Sequence, residues 1–348
     1  MKSLLLYAAR DARIADVPEP EPGPGQVKVK VECAGICGSD LSLFQYSPIP
    51  AGFTHPLLCT HGPHALGHEF SGRVVALGDG VDDIEVGALV AVRPNVYDGT
   101  CPACERGEQN LCAQGGFIGV SGGGGGFSEY VVAGRDAAHV IPERFGAEVA
   151  AMVESTAVAW HAVKQSGGGD GTTALVVGAG PVGLALVSCL LARGASKVFV
   201  SELSEARKAR AVEMGAEVLD PSQTDVVAHV QALGGVDVSF DASGVGQPTY
   251  DTALDALRPG GTSVVVAMFH EPVQVDLQKY MTSEKKLVGS MAYTDVDFGE
   301  VVEAIVDGRL DPRPLITGRI RLDDVVDKGL NHLLGEGRNS EIKILVTP

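Results

Sequence analysis

The chain has 348 residues, 45% of them hydrophobic, and a formal net charge of -17. That length and composition leave room for two domains with sizeable cores and exclude a disordered chain, while the negative charge argues against nucleic acid or an anionic membrane surface as a partner. No run approaches the roughly 18 apolar residues of a membrane helix, and charge interrupts the opening MKSLLLYAARDARIADV too early for a secretory leader; with an odd count of seven cysteines, a cytoplasmic protein with reduced thiols is expected.

LLLYAA reads as a first β-strand. Further strand signals follow at 26–35 (QVKVKVECAG), 70–78 (FSGRVVALG), 88–94 (ALVAVRP) and 127–133 (FSEYVVA). Dense glycine and proline punctuation among short strands is the mark of a small β-barrel or sandwich. PEPEPGPG (18–25) has strand signals on both sides, so it reads as a turn-rich connection and not a domain linker. The glycine run at 122–126 reads as a loop leading into a buried strand. Near residue 150 the texture changes. Residues 147–165 have helical periodicity. TALVVG (173–178) leads into a helix to about Arg193, and KVFVSE (197–202) into a helix from Ser204 to Met214. Strands are expected again at 216–220, 237–243, 262–267 and 286–291. Apolar strands separated by helices predict a doubly wound parallel sheet covered on both faces. An acidic helix (296–308), LITGRIRLDD, a helix (324–335) and the strand IKILVTP close the chain. The expected division is 1–152, 153–291 and 292–348.

Three groups of residues carry chemistry. Asp98, Cys101, Cys104 and Cys112 stand at D-x2-C-x2-C-x7-C, a spacing that lets one loop surround one ion, and thiolate is a strong zinc ligand. A disulfide loop or idle thiols are the alternatives. ALVVGAGPVGL carries Gly178-x-Gly180-x-x-Gly183 between an apolar strand and an apolar helix, and Glu202 ends the next strand. This is the context of a dinucleotide fingerprint, with phosphates at a helix N-terminus. A carboxylate at that strand tip accepts from ribose hydroxyls and repels a 2′-phosphate, which favours NAD over NADP. Cys37, His68, Glu69 and Glu154 form the third group. Cys, His and Glu can hold zinc with a fourth position open; singly, each also reads as a buried or surface residue without a function.

Taken together, GICGSDL, GHE, the cysteine loop, GGFSEYVV and GAGPVG resemble, in order and spacing, the zinc-dependent medium-chain alcohol dehydrogenase family. The resemblance covers nearly the whole chain and is to the butanediol and sorbitol dehydrogenase branch, on MVESTAVAWHAVKQSG, LITGRIRLDD, KGL and EIKILVTP. It implies a GroES-like β-rich catalytic domain, completed by the C-terminal segment, beside a Rossmann domain. It implies a catalytic zinc on Cys37, His68 and Glu154, with Glu69 beside it as a supporting or exchanging ligand. A structural zinc is implied at Asp98, Cys101, Cys104 and Cys112, and NAD at Gly178, Gly180, Pro181, Val182, Gly183, Glu202 and Arg207. The implied reaction is oxidation of a secondary alcohol or vicinal diol, (R,R)-2,3-butanediol to acetoin, and its reverse, including diacetyl reduction. A polyol or threonine dehydrogenase is the near alternative; a metal-free NAD(P)-binding reductase or a non-catalytic protein is the distant one. The small-molecule alcohol or ketone is the only partner expected besides copies of the chain, in a homodimer or homotetramer.

The chain departs from the family pattern twice. Asp98 stands where the family usually has Cys, leaving either a site of one Asp and three Cys or a weakened one. Ser42 stands where a proton-passing His is common, which leaves Ser39, water, the cofactor ribose, His61 or His64 as the proton route. His61 and His64 read as surface loop residues, with pocket lining as the alternative. Phe44, Phe117, Ile118 and Trp160 are candidate pocket residues.

Overall fold

A computed structural model describes residues 1–47, 49, 53–59, 62–269 and 271–348. The chain divides into two compact units. The first comprises Met1–Ser155, Thr294–Val306 and Ile316–Pro348; the second comprises Thr156–Tyr293 and Asp307–Leu315. Asp307–Leu315 therefore groups with the second unit, although it was expected within a continuous C-terminal segment.

The first unit is built on a long strand, Gln26–Gly35, whose valines Val27, Val29 and Val31 are buried in a core with Phe70, Val74, Phe127 and Val131. Glu69–Leu77 pairs antiparallel with it, and Tyr130–Gly134 pairs with its first half. Lys343–Thr347 pairs antiparallel at its end, bringing Leu345 opposite Gly35, and runs parallel to Ile316–Arg321. This arrangement places residues from both ends of the chain around Gly35–Cys37. The first strand, Lys2–Ala8, lies in a separate sheet with Asp11–Asp16 and His64–Ala65.

In the second unit six parallel strands run in the order Glu217–Leu219, Lys197–Ser201, Thr173–Val177, Val236–Asp241, Leu257–Val265 and Lys286–Gly289. Leu175, Val177, Phe199 and Val236 are buried in one of its cores, as expected for a sheet covered on both faces. Among the described residues no helix is long and apolar enough to cross a membrane.

Three local expectations change. The helix at 147–165 is two helices, Gly146–Ala151 and Val153–Ser166, meeting at Met152. The helix at 324–335 is wound mostly as a π-helix, Val325–Asn331, before His332–Leu334. There Gly329 passes so close to Ile36 that a Cβ would lie 2.6 Å from Ile36 Cδ1. His64 is not a surface residue: it pairs opposite Leu6 and is 5% exposed. His61 lies outside the described residues.

Candidate functional site

Among the described residues, the ligand atoms of Cys37, His68 and Glu69 all lie within 4.8 Å of one another. Cys37 caps the helix Gly38–Tyr46, and His68 and Glu69 enter the neighbouring strand. Glu154, in the first turn of Val153–Ser166, is 4% exposed and is not one of the three. Ser39 Oγ is 3.2 Å from His68 Nε2.

Two residues that the motifs did not single out hold this cluster. Asp40 is fully buried. Its Oδ2 accepts the Cys37 amide (2.9 Å), and its Oδ1 accepts the Gly67 amide (3.2 Å) while lying 3.6 Å from His68 Nδ1. One carboxylate thus fixes the backbone of two adjacent segments and faces the imidazole, the usual way to orient a ligating histidine. Lys343 donates to both Glu69 oxygens (2.7 and 2.6 Å) and to the Ile36 carbonyl (3.2 Å), with both side chains almost wholly buried. Gly35 leaves room for the pair, because a Cβ there would overlap Glu69 Oε2. Burial pulls Lys343 down, but the Glu69, Cys37 and Glu154 charges outweigh it and hold the ammonium above its ordinary value. Burial likewise opposes the charged form of His68, and Asp40 and Cys37 raise it well above its usual range.

This donor set fits zinc. Thiolate, imidazole and carboxylate are its usual ligands. Asp40 faces His68 Nδ1, which leaves Nε2 to meet an ion, and the negative groups that raise His68 and Lys343 are a surplus of charge that a divalent cation would balance.

The second cluster is Asp98, Cys101, Cys104 and Cys112, again with ligand atoms within 4.8 Å of one another and each residue half-buried. Asp98 Oδ1 accepts the Thr100 and Cys101 amides (2.8 and 2.9 Å), which tightens the turn and leaves Oδ2 for an ion. Those amides hold the carboxylate down at about 2. Cys101 precedes the short helix Pro102–Glu105, which brings Cys104 Sγ to 3.6 Å from Cys101 Sγ. The cysteines are free. Burial and the two neighbouring sulfurs push Cys104 up, a crowding that a central cation would relieve. Four donors and no open position fit a structural zinc site.

In the second unit Gly178 follows the strand Thr173–Val177 at φ 93°, a conformation that favours glycine. Gly180 caps the helix Pro181–Ala192, with Pro181 in its first turn. Gly183 lies against Gly178, where a Cβ would overlap the Gly178 carbonyl. Glu202 Oε2 accepts the Ala179 amide (2.7 Å), and its Oε1 accepts those of Leu203 and Ser204 (2.8 Å each). Arg207 leans on the turn: its Nη1 is 3.9 Å from where a Cβ on Gly180 would stand. Phe44 and Trp160, expected near a pocket, are each 2% exposed; Phe44 is part of the first unit's core, and Arg193 covers the Trp160 ring.

Comparison with known proteins agrees along the whole chain. The model of the alcohol dehydrogenase GroES-like domain matches residues 23–143, and that of the zinc-binding dehydrogenases matches 181–307. The (R,R)-butanediol dehydrogenase of Neisseria gonorrhoeae is 39% identical over 356 residues, covering 100% of this chain and 99% of the relative. The crystal structure of 2R,3R-butanediol dehydrogenase from Bacillus subtilis superposes with a TM-score of 0.93 at 37% identity, over 100% and 99% of the two chains. A zinc-binding dehydrogenase from Sinorhizobium meliloti, bound to NADP, gives a TM-score of 0.90 at 33% identity, over 100% and 99%. With the fold, both ligand clusters and the glycine turn all in place, the chain belongs to the zinc-dependent medium-chain alcohol dehydrogenases, enzymes that use zinc and a nicotinamide dinucleotide.

Proposed function

We infer that this enzyme oxidises (R,R)-2,3-butanediol to acetoin with NAD, and catalyses the reverse reduction of acetoin and diacetyl. The observation that carries this reading is the Cys37–His68–Glu69 cluster in a chain that matches butanediol dehydrogenases end to end. The first unit is the catalytic domain and the second the dinucleotide domain.

Cys37 and His68, with Glu154 or Glu69, would hold the catalytic zinc, which supplies a Lewis acid for the substrate oxygen. Gly178–Gly183 would hold the dinucleotide, which would supply the hydride acceptor. The chain's own part is to orient and to move a proton. Asp40 fixes the His68 ring. Ser39 Oγ, at the cluster, takes the proton of the substrate hydroxyl and hands on its own, the role left open by Ser42. Lys343 pairs with both Glu69 oxygens, so while that pair holds Glu69 would compete weakly for the ion and Glu154 would be the carboxylate that holds it. Glu202, held in place by the amides of Ala179, Leu203 and Ser204, would meet the adenosine ribose and disfavour a 2′-phosphate. The enzyme acts in the cytoplasm as a homodimer or homotetramer.

The test is zinc per chain together with NADH formation on (R,R)- and meso-butanediol, sorbitol and threonine, with NADP as rival cofactor. Two zinc ions and a preference for (R,R)-butanediol with NAD are expected. A preference for sorbitol or threonine would move the substrate to that class. A Cys37→Ala variant with undiminished turnover would sink the metal assignment.

A further inference from the structure

The stretch between the two clusters touches both. Cys112 ends the four-donor loop, and its carbonyl accepts the Gly115 amide (3.0 Å). Gly116–Phe117 then pairs with Asn95–Val96, the strand that leads into Asp98. The Ile118 amide donates to the Pro94 carbonyl (2.9 Å). Gly119, at φ 83°, lies directly on the segment bearing His68: a Cβ there would overlap the Gly67 carbonyl and stand 3.1 Å from the His68 amide nitrogen. A few residues of backbone therefore join the last ligand of one cluster to the histidine of the other.

His55 clamps this connection at its start. The ring is 5% exposed, and Nδ1 accepts the Leu57 amide (3.3 Å). That bond puts the proton on Nε2, which donates to the Gly115 carbonyl (3.1 Å). The ring also fills the space beside Gly116, where a Cβ would collide with it. The His55 carbonyl in turn accepts the Cys59 amide (2.9 Å). Both imidazole nitrogens are used, on two different segments, so the clamp is directional as well as close-packed.

We propose that His55 is a positioning residue for His68: it fixes Gly115 and Gly116, and through Gly116–Gly119 it carries the state of the Asp98 cluster to the Cys37 cluster. Loss of the ion at Asp98 then loosens the hold on the ion at Cys37. The inference rests on both clusters being zinc sites, so the full-length protein is first assayed for zinc. A wild-type chain with a single ion refutes the two-centre reading and the inference with it.

With two ions present, zinc release to a chelator is followed in the wild type and in His55→Ala, and the phase missing from Cys37→Ser identifies the catalytic centre. Hydrogen exchange is read over 53–59 and 116–119. In His55→Ala the catalytic-centre phase should quicken about fivefold, the scale of one lost hydrogen bond, and both segments should exchange faster. His55→Gln, whose amide can still donate to Gly115, should recover most of the difference. Wild-type zinc release in His55→Ala, or faster exchange confined to 53–59, overturns the proposal. If His55→Ala does not fold, Asp98→Asn serves: it keeps the acceptor of the Asp98 turn and removes the charge on the ion. Loss of the second zinc with no faster release of the first would then be decisive against the coupling. Zinc release that responds as expected in a protein with no alcohol turnover would leave the coupling standing and the reaction assignment refuted.

Discussion

Lys343 keeps its charge in the dry interior because Glu69 faces it with both oxygens. Breaking such a pair costs more than the pair contributes, since the remaining charge is left uncompensated. Lys343→Met should therefore destabilise the first unit by roughly 3–5 kcal/mol in a urea titration, and adding Glu69→Gln should recover part of that. The folded value of Lys343 is raised, so its stabilisation is present below the ordinary lysine value of 10.5 and is lost as the pH climbs through the folded value. His139 works at the acid end. Burial and the charges of Arg93 and Arg135 lower it to about 4, and its ring packs on Phe298 at 4.7 Å. Unfolded chains take that proton near pH 6.5 and the folded chain only near 4, so stability is full above 6.5 and falls on acidification to 4, by at most about 3 kcal/mol. His139→Phe should flatten the stability profile in that window. Cys37, His68 and Glu69 were legible because their short motifs travel with them. Lys343 was not: a lysine in IKILVTP reads as a strand's polar punctuation, and nothing in its neighbourhood announces a carboxylate 274 positions away. Asp40 does not stand out beside Ser39 in sequence, although an acid three residues after a helix-capping position has a well-known reason to be there.

Short elements behave differently from long ones. The six parallel strands and the glycine turn follow from apolar runs and local backbone needs, and each was readable. The turn makes a sharp prediction: Gly183→Ala drives a methyl into the Gly178 carbonyl. NADH affinity, measured by fluorescence titration, should fall at least about fivefold, in keeping with an overpacking cost of about 1–3 kcal/mol. Unchanged affinity would mean that the dinucleotide binds elsewhere. His64–Ala65, Asn95–Val96 and Gly116–Phe117 were not readable as strands, since pairs of residues carry no periodicity and their pairing is decided by partners distant in the chain. The π-winding at Val325–Asn331 has the same origin, because close approach of Gly329 to Ile36 is a tertiary demand that helical periodicity does not express.

At the scale of the molecule, Lys286–Gly289 is the outer strand of the six-stranded sheet, and Leu287 within it, with Met281 and Met291 on either side in sequence, is exposed. Such an edge calls for a partner. We propose that the homo-oligomer forms through this edge, so Leu287→Arg should give monomers in sedimentation while leaving NADH binding within about twofold of wild type, since the variant touches no turn residue; an oligomer that persists in the variant would place the interface elsewhere. The pairing of Lys343 with Glu69 also has a consequence in time. A ribosome adding about 5–20 residues per second delivers the lysine some 15–50 s after the carboxylate. Through that interval Glu69 cannot be sealed from water without its counter-ion, so the strand beside it must stay open or breathe. The second unit is almost contiguous, from Thr156 to Tyr293, and can fold while the first waits. The part of the enzyme synthesised first is therefore the part finished last, and its acidic cluster stays reachable by metal ions from the surrounding solution until Lys343 arrives.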